Sequence, residues 1–390
     1  MQTLPRAVVL DPNDGGITIA RQLAARGVDV VTVCPPRGRW ASSSRAAVCS
    51  PVGPLPDAAD EWVEALYRLA DRPGVLISCS DAATEWLVQH RDRIPPTLTS
   101  FESPTSAHLR LMDKSALLDL AHELGVRAPV THRVETRAEL HALVAAGMPM
   151  PCVAKAVMGH AARRVGDFAT KGIPDVATLV AHVGAAVDQG MAMLVTEHIP
   201  GTPEDLEGAV QLRTASGELA LEYGRRKRRD YPVGYGVGTL TEAVSVPEAL
   251  QVAERLLDGA GFVGIASTEF KRHAGTGELV LIEVNVRIPQ NFGLAQASGA
   301  DGPWRLYATL AGLPLGPQPP ARPGTKAWLP QLDLHAVREL RRRGELPAKE
   351  IVRSLAGVRD HGAFSWRDPG PGLSVLGIEI RGYTRHRLRR

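Results

Sequence analysis

Cysteine is scarce in these 390 residues: four in all, placed singly at Cys34, Cys49, Cys79 and Cys152. No CxxC pair occurs, which argues against a structural zinc and a thioredoxin-type couple. A disulfide framework is not expected in so long a chain, so a reduced cytoplasm is the expected compartment. Aromatic residues make up only 5%, too few for a platform on which nucleic-acid bases stack. A dominant charge is missing too. The 45 Lys and Arg against 42 Asp and Glu leave +3, so no global attraction to a polyanion is built in. No apolar run reaches the ~18 residues of a membrane span. The N-terminal apolar run is broken at once by Asp11 and Pro12, unlike a signal peptide. Walker A, GxGxxG, GxSxG, HExxH and EF-hand patterns are all absent. The expectation is a soluble cytoplasmic protein without a nucleic-acid partner or membrane span.

What is present is an ordinary globular composition, 44% hydrophobic and 22% charged, long enough for roughly two to three domains. The first hundred residues alternate strand and helix: an apolar run at 6–10, a Gly15-Gly16 turn, a helix stopped by Gly27, and a β-branched strand at 28–33. A helix at 58–71 and a strand at 74–79 follow, which predicts a parallel sheet with right-handed crossovers. Residues 104–125 read as helical. From about 126 the pattern becomes α+β, with strands at 152–157, 192–198, 208–214, 219–223, 264–271 and 278–284. Helices are expected at 136–146, 175–189 and 246–260. Residues 312–324 are a Pro/Gly-rich connector. A basic helix near 334–343 and a strand-like SVLGIEI lie beyond it.

The informative segment is GIASTEFKRHAGTGELVLIEVNVRIPQNFG, residues 264–293. Two strands joined by a turn carry Glu269 on the first and Glu283 and Asn285 on the second. Strand positions two apart share a face, and a hairpin brings Glu269 beside them. Two carboxylates and an amide oxygen are hard ligands suited to Mg²⁺, with Mn²⁺ as the alternative ion. Arg287, two further on, could steady a phosphoryl group. The competing reading is a polar end of a surface hairpin, but the apolar LVLI flank makes an unpaired inward glutamate costly.

These residues resemble the ATP-grasp superfamily of carboxylate–amine ligases. The family strand E-[VI]-N-x-R is matched by Glu283 to Arg287, with Glu269 as the partner acid. Asp113-Lys114 before LGVRAP matches a helix start and Gly-x-x-x-Pro turn. Lys155 in PCVAKAV matches the strand lysine that contacts nucleotide phosphates. The loop at 158–167, with Arg163 and Arg164, would cover them. VTEHIPG resembles the adenine hinge, with Glu197 and the Ile199 backbone as contacts, and Glu204 or Asp205 as the ribose acid. The marks keep the family's order over about 105–300. The loop RRKRRDYPVGYGVGTLTEAV, with WLPQLDL and FSWRDP, is most similar to amino-acid ligases such as D-aspartate ligase. Val286 and Ile288 depart from the family's usual Pro and Gly.

The resemblance implies an α/β plus α+β chain with the ATP-grasp fold: a Rossmann-like pre-ATP-grasp domain at 1–104, two lobes at 105–315 with ATP between them, and an extension at 316–390. It implies ADP-forming ligation of a small-molecule carboxylate to an amine, with ATP and Mg²⁺. Lys114 and Lys155 would offset phosphate charge. Lys227, in the basic run 225–229, would bind an acidic substrate group. Asp81 would orient the amine or cap a helix. A carboxylase or nucleotide-biosynthesis ligase of the same superfamily, and a non-catalytic nucleotide-binding regulator, are the alternatives. A homodimer is the default for an oligomer.

Overall fold

The computed structural model describes residues 4–101, 103–157 and 170–387, with side chains given up to 378. The expected phosphate-covering loop at 158–167 and the basic C-terminal tail side chains lie outside the described residues. Five parallel strands open the chain: β1 (Arg6–Leu10), β2 (Val30–Cys34), β3 (Val48–Pro51), β4 (Gly74–Ser78) and β5 (Leu98–Thr99), in the order β3-β2-β1-β4-β5. The order reverses between β1 and β4, so a crevice opens there at the strands' carboxyl ends. The helices α1 (Asp14–Ala24), α2 (Ala59–Leu69) and α3 (Asp81–Gln89) complete this part. Gly15 and Gly16 form the first helical turn, not the expected loop. A Cβ on Gly15 would stand 2.4 Å from the Pro289 carbonyl oxygen, and one on Gly16 2.9 Å from Cys79 Sγ. Close approach, not turning, is what requires glycine there.

The helical stretch after 104 is two helices, α4 (Thr105–Met112) and α5 (Lys114–Glu123). Asp113 divides them: its extended backbone ends α4, and its carboxylate accepts from Ser115 and Ala116 N–H, capping α5. An antiparallel four-stranded sheet follows, in the order β6 (Thr131–Val134), β9 (Met193–Glu197), β7 (Cys152–Ala156), β8 (Thr170–Ile173), backed by α6 (Arg137–Ala145) and α7 (Val176–Val187). Cys152, Ala154 and Ala156 point into its apolar core. Period-two alternation turns Lys155 to the opposite face.

The largest sheet has seven strands: β14 (Leu279–Asn285), β13 (Gly264–Arg272), β10 (Leu206–Arg213), β11 (Leu219–Tyr231), β12 (Val237–Ala243), β15 (Lys326–Trp328) and β16 (Val358–Asp360). One face packs on α5 and α8 (Pro247–Gly259) through Ala209, Ala266, Phe270, Leu281 and Val284. The other packs Val210, Leu212, Tyr223 and Ile265 toward the N-terminal part, with α9 (Gly293–Ala297) and α10 (Gly302–Leu310) between.

Two expectations are corrected. RRKRR is not a loop but the second half of β11. Arg225, Lys227 and Arg229 are buried at alternate positions, each facing an acid from another strand or helix. Within the C-terminal extension, β15 and β16 join the seven-stranded sheet. SVLGIEI lies in α13 (Gly370–Arg387), not in a strand. There Pro371, Gly372 and Val375 are the buried positions, a helical spacing. α11 (Pro330–Arg342) and α12 (Ala348–Ser354) precede it. Among the described residues no helix is long and apolar enough to cross a membrane.

Candidate active site

The hairpin pairs as the sequence predicts. Glu269 stands opposite Glu283, and Ser267 opposite Asn285. A bulge between Glu269 and Phe270 sets Ile282 out of register. It shifts the apolar phase of β14, so Leu281 and Val284 both reach the α5–α8 core while Glu283 keeps the site face.

Glu269 is not solitary. Gly208 lies between Glu269 and Arg225 in the ladder across β13, β10 and β11. Two strand spacings, about 10 Å, separate the outer pair. With no side chain on Gly208, Arg225 crosses β10: a Cβ there would sit 2.8 Å from Arg225 Cγ. Arg225 donates to Glu269 Oε1 at 2.6 Å and to Ser267 Oγ at 3.0 Å, and Lys227 Nζ donates to Glu269 Oε2 at 2.8 Å. Burial alone would raise the Glu269 carboxyl. The Lys227 and Arg225 charges outweigh it and hold the group down at about 2.

Glu283 is held otherwise. Asn285 Nδ2 donates to Glu283 Oε1 at 2.8 Å, Arg287 donates to Asn285 Oδ1 at 3.1 Å, and Arg287 Nε donates to Asp81 Oδ1 at 2.7 Å. Asp81 opens α3 at the switch-point crevice, while Ser80 is the cap that accepts from Ala83 N–H. Asp81 is therefore the anchor of Arg287. Burial opposes the Arg287 charge, but Asp81 overcomes it and the pKa is raised. Asn13 Nδ2 ties the same crevice to the hairpin exit, donating to the carbonyls of Cys79 (2.8 Å) and Ile288 (3.1 Å).

Two lysines meet at the end of β7. Lys114 Nζ donates to the Ala156 carbonyl at 3.0 Å, which brings the start of α5 to the end of β7. The Lys155 ammonium has no described hydrogen-bond or ion-pair partner. Burial drives its pKa down to about 8, the Lys114 charge adds to this, and Glu283 opposes it. Two like charges this close, one of them desolvated, favour an anionic partner.

The hinge residues are arranged differently from the expectation. Arg127 grips the Glu197 carboxylate at 3.1 and 2.9 Å, and Val130 N–H donates to it at 3.0 Å. Burial would raise this carboxyl, yet those donors lower it. Its side chain is a clamp on the 127–130 segment. The buried Ile199 donates its N–H to no described residue, so the backbone is what this hinge offers a ring. Glu204 pairs with Arg228 at 3.0 Å and is exposed, whereas Asp205 accepts from Thr202 N–H and hydroxyl. Sequence reasoning missed Arg225 and Arg127. Alternation at 225, 227 and 229 was the available signal for the first.

The donor set fits a Mg²⁺–nucleotide. All candidate metal ligands are oxygens, the ion needs few from protein, and the Lys155 charge acts on Glu283. Among the described residues no cluster of three His, Cys, Asp or Glu exists, so Glu283, Glu269 and the Asn285 amide are the donors to consider.

No protein-family model and no curated protein matches the chain. Solved structures do. N5-carboxyaminoimidazole ribonucleotide synthetase from Thermus thermophilus is 17% identical, with TM-score 0.61 over 82% of this chain and 81% of that one. L-amino acid ligase from Bacillus licheniformis is 14% identical, with TM-score 0.63 over 84% and 80%. The biotin carboxylase domain of Hydrogenobacter thermophilus 2-oxoglutarate carboxylase, in complex with MgADP, ADP and bicarbonate, is 15% identical, with TM-score 0.62 over 83% and 73%. The chain has the ATP-grasp fold these enzymes share.

Proposed function

We propose that this chain is an ADP-forming ligase that joins a carboxylate to an amine through an acyl phosphate. The observation that carries the reading is the approach of Lys114 to the end of β7 beside Lys155, whose charge Glu283 of the Glu283–Asn285–Arg287 row supports. ATP with Mg²⁺ would supply the phosphoryl group that turns an unreactive carboxylate into an acyl donor. The substrate carboxylate takes the γ-phosphoryl group and ADP leaves. The amine then displaces phosphate and loses a proton. The chain itself positions charge. Lys114 and Lys155 face the phosphates, Glu283 with Glu269 and Asn285 holds the cation, and Arg287, fixed by Asp81, faces the transferred group. The Ile199 backbone receives the adenine, and Glu204 or Asp205 the ribose.

The amino-acid branch is favoured by the likeness to the Bacillus licheniformis L-amino acid ligase, and D-aspartate belongs among the acids to test. The T. thermophilus synthetase and the bicarbonate-bound carboxylase domain support a second reading, in which bicarbonate is the acid. Phosphate release with ATP, Mg²⁺ and pairs of amino acids, with products identified by mass spectrometry, tests both. Release that requires two amino acids, with a mass equal to their sum less water, is expected. Release driven by bicarbonate alone would favour the second reading. Silence under every condition would overturn the ligase reading.

A further inference from the structure

The four-stranded sheet that carries Lys155 is joined to the rest of the chain along one edge. The chain enters it at β6 and leaves it at β9, where Glu197 accepts from Arg127 at 2.9 Å and from Val130 N–H at 3.0 Å. Strand β8 is the opposite edge. On β8, Gly172 pairs with Val153, two residues before Lys155, so period-two alternation opens the bare side of Gly172 on the face that Lys155 occupies. That space is filled. A Cβ on Gly172 would meet Tyr235 Cε2 and Cζ at 2.9 Å each, and the hydroxyl closer still. The Tyr235 ring therefore lies on the β8 backbone where a side chain would otherwise stand.

Tyr235 belongs to the turn between β11 and β12 of the seven-stranded sheet, and this turn is braced. The Asp230 carboxylate accepts from Gly234 N–H at 2.9 Å and Gly236 N–H at 3.4 Å. A Cβ on Gly236 would stand 1.9 Å from the Tyr231 carbonyl carbon, so the turn closes on itself with no room for a side chain. The Tyr231 ring stacks on His335 of α11, with centroids 5.3 Å apart. Lys227 Nζ donates to the Gly236 carbonyl at 3.1 Å as well as to Glu269 Oε2 at 2.8 Å. One ammonium group thus joins the residue after Tyr235 to a candidate metal ligand.

We infer that Tyr235 is a positioning residue, a strut that ties the far edge of the Lys155 sheet to the Lys227–Glu269 pair and so fixes the phosphate-binding and metal-binding halves of the site at one separation. The inference rests on the nucleotide part of the reading above and adds to it the residue that sets its geometry. Without the strut the sheet is fastened only along its β6–β9 edge, and Lys155 on β7 moves with the unfastened side. Glu283 acts on the Lys155 charge, so a shift of either sheet changes how the lysine and the cation together meet a phosphate chain. The contact is made by ring carbons, and the Tyr235 hydroxyl makes no hydrogen bond to any described residue. Packing, not polarity, is what the position supplies.

The test measures ADP binding with Mg²⁺ by calorimetry in wild type, Tyr235→Phe, Tyr235→Ala, Gly172→Ala and the double variant carrying Gly172→Ala with Tyr235→Ala. Tyr235→Ala should weaken binding on the order of fivefold or more. Tyr235→Phe keeps the ring and should bind as wild type does. Gly172→Ala expels the ring and should weaken binding to a similar degree. In the double variant the added methyl meets no ring, so the loss should match that of Tyr235→Ala alone. Without nucleotide, the β7 and β8 amides of Tyr235→Ala should exchange hydrogen about threefold faster or more, while those of β10 and β13 keep the wild-type rate. A contact that only adds stability would lower the urea midpoint of Tyr235→Ala and leave the affinity and the exchange pattern of the folded protein unchanged. That result would overturn the strut alone, as would a Tyr235→Phe as weak as Tyr235→Ala or additive losses in the double variant. Wild type that takes up no ADP with Mg²⁺ would overturn the nucleotide reading and the strut with it.

Discussion

Glu269 and Glu283 face one another directly across the β13–β14 ladder, yet only Glu269 is neutralised. Arg225 and Lys227 both close on it at 2.6 and 2.8 Å, while among the described residues Glu283 accepts only a neutral amide, and the Lys155 charge acts on it. Both acids are proposed to hold the cation, but their loss exposes different partners. Glu283→Gln should cut phosphate release by about a hundredfold or more and move stability by less than about 1 kcal/mol. Glu269→Gln strands two buried cations and should cost about 3–5 kcal/mol of stability. Urea melts and turnover measured on both variants check the split. Equal stability losses would refute it.

Lys155 links pH to nucleotide binding. Its folded pKa, about 8, lies below that of an ordinary lysine near 10.4. The folded apo protein thus binds fewer protons than the unfolded chain between those values. The lysine's unfavourable contribution is full below about pH 8 and is relieved as pH rises toward the unfolded value. A bound polyanion restores the charge, so ATP or ADP should bind with uptake of roughly three-quarters of a proton at pH 8.5. Calorimetry in buffers of different ionisation enthalpy reads this directly. Lys155→Met should abolish the uptake and weaken binding by about tenfold or more. The same uptake in that variant would assign the proton elsewhere.

The hairpin was legible because its chemistry is local: period-two spacing places Glu283 and Asn285 on one face, and a short turn returns Glu269 to them. Lys155 was legible as a charge interrupting an apolar strand. The basic run was not, since five adjacent cations read as solvated until their counter-charges are known. Those are distant, with Glu269 lying 42 residues from Lys227 and Asp333 lying 104 from Arg229. The Arg127 clamp on Glu197, 70 residues away, was hidden for the same reason. SVLGIEI failed differently. Its alternation suits a strand, but the segment lies in a helix that packs on the 3₁₀ segment Pro36–Ser43, with Val375 buried.

Gly208 should tolerate no side chain. Its Cβ would crowd Arg225 at Cγ, close to the backbone, where the arginine has little freedom to move aside. Gly208→Val should push Arg225 off Glu269 and lower stability by about 2–4 kcal/mol. Adding Arg225→Ala to Gly208→Val should change stability by less than Arg225→Ala does in wild type, because the contact is already lost. A thermodynamic cycle over the four proteins measures the coupling. Strict additivity would mean that Gly208 does not serve this crossing.

Asp333 decides whether the C-terminal segment is part of the folding unit. It is 2% exposed and accepts two bonds from Arg229 at 2.8 and 2.7 Å, one from Thr239 at 2.7 Å and one from Trp328 Nε1 at 2.8 Å. These donors come from β11, β12 and β15, so one carboxylate on α11 fastens the extension to the sheet bearing the candidate site. Asp333→Ala leaves Arg229 buried without its partner and should cost about 3–5 kcal/mol. Asp333→Asn keeps an acceptor and should cost less. If the extension folds with the sheet, urea should unfold Asp333→Ala in one transition at a lower midpoint with an unchanged slope. Two transitions, with proteolysis beginning in the 312–324 connector, would show that the extension melts separately.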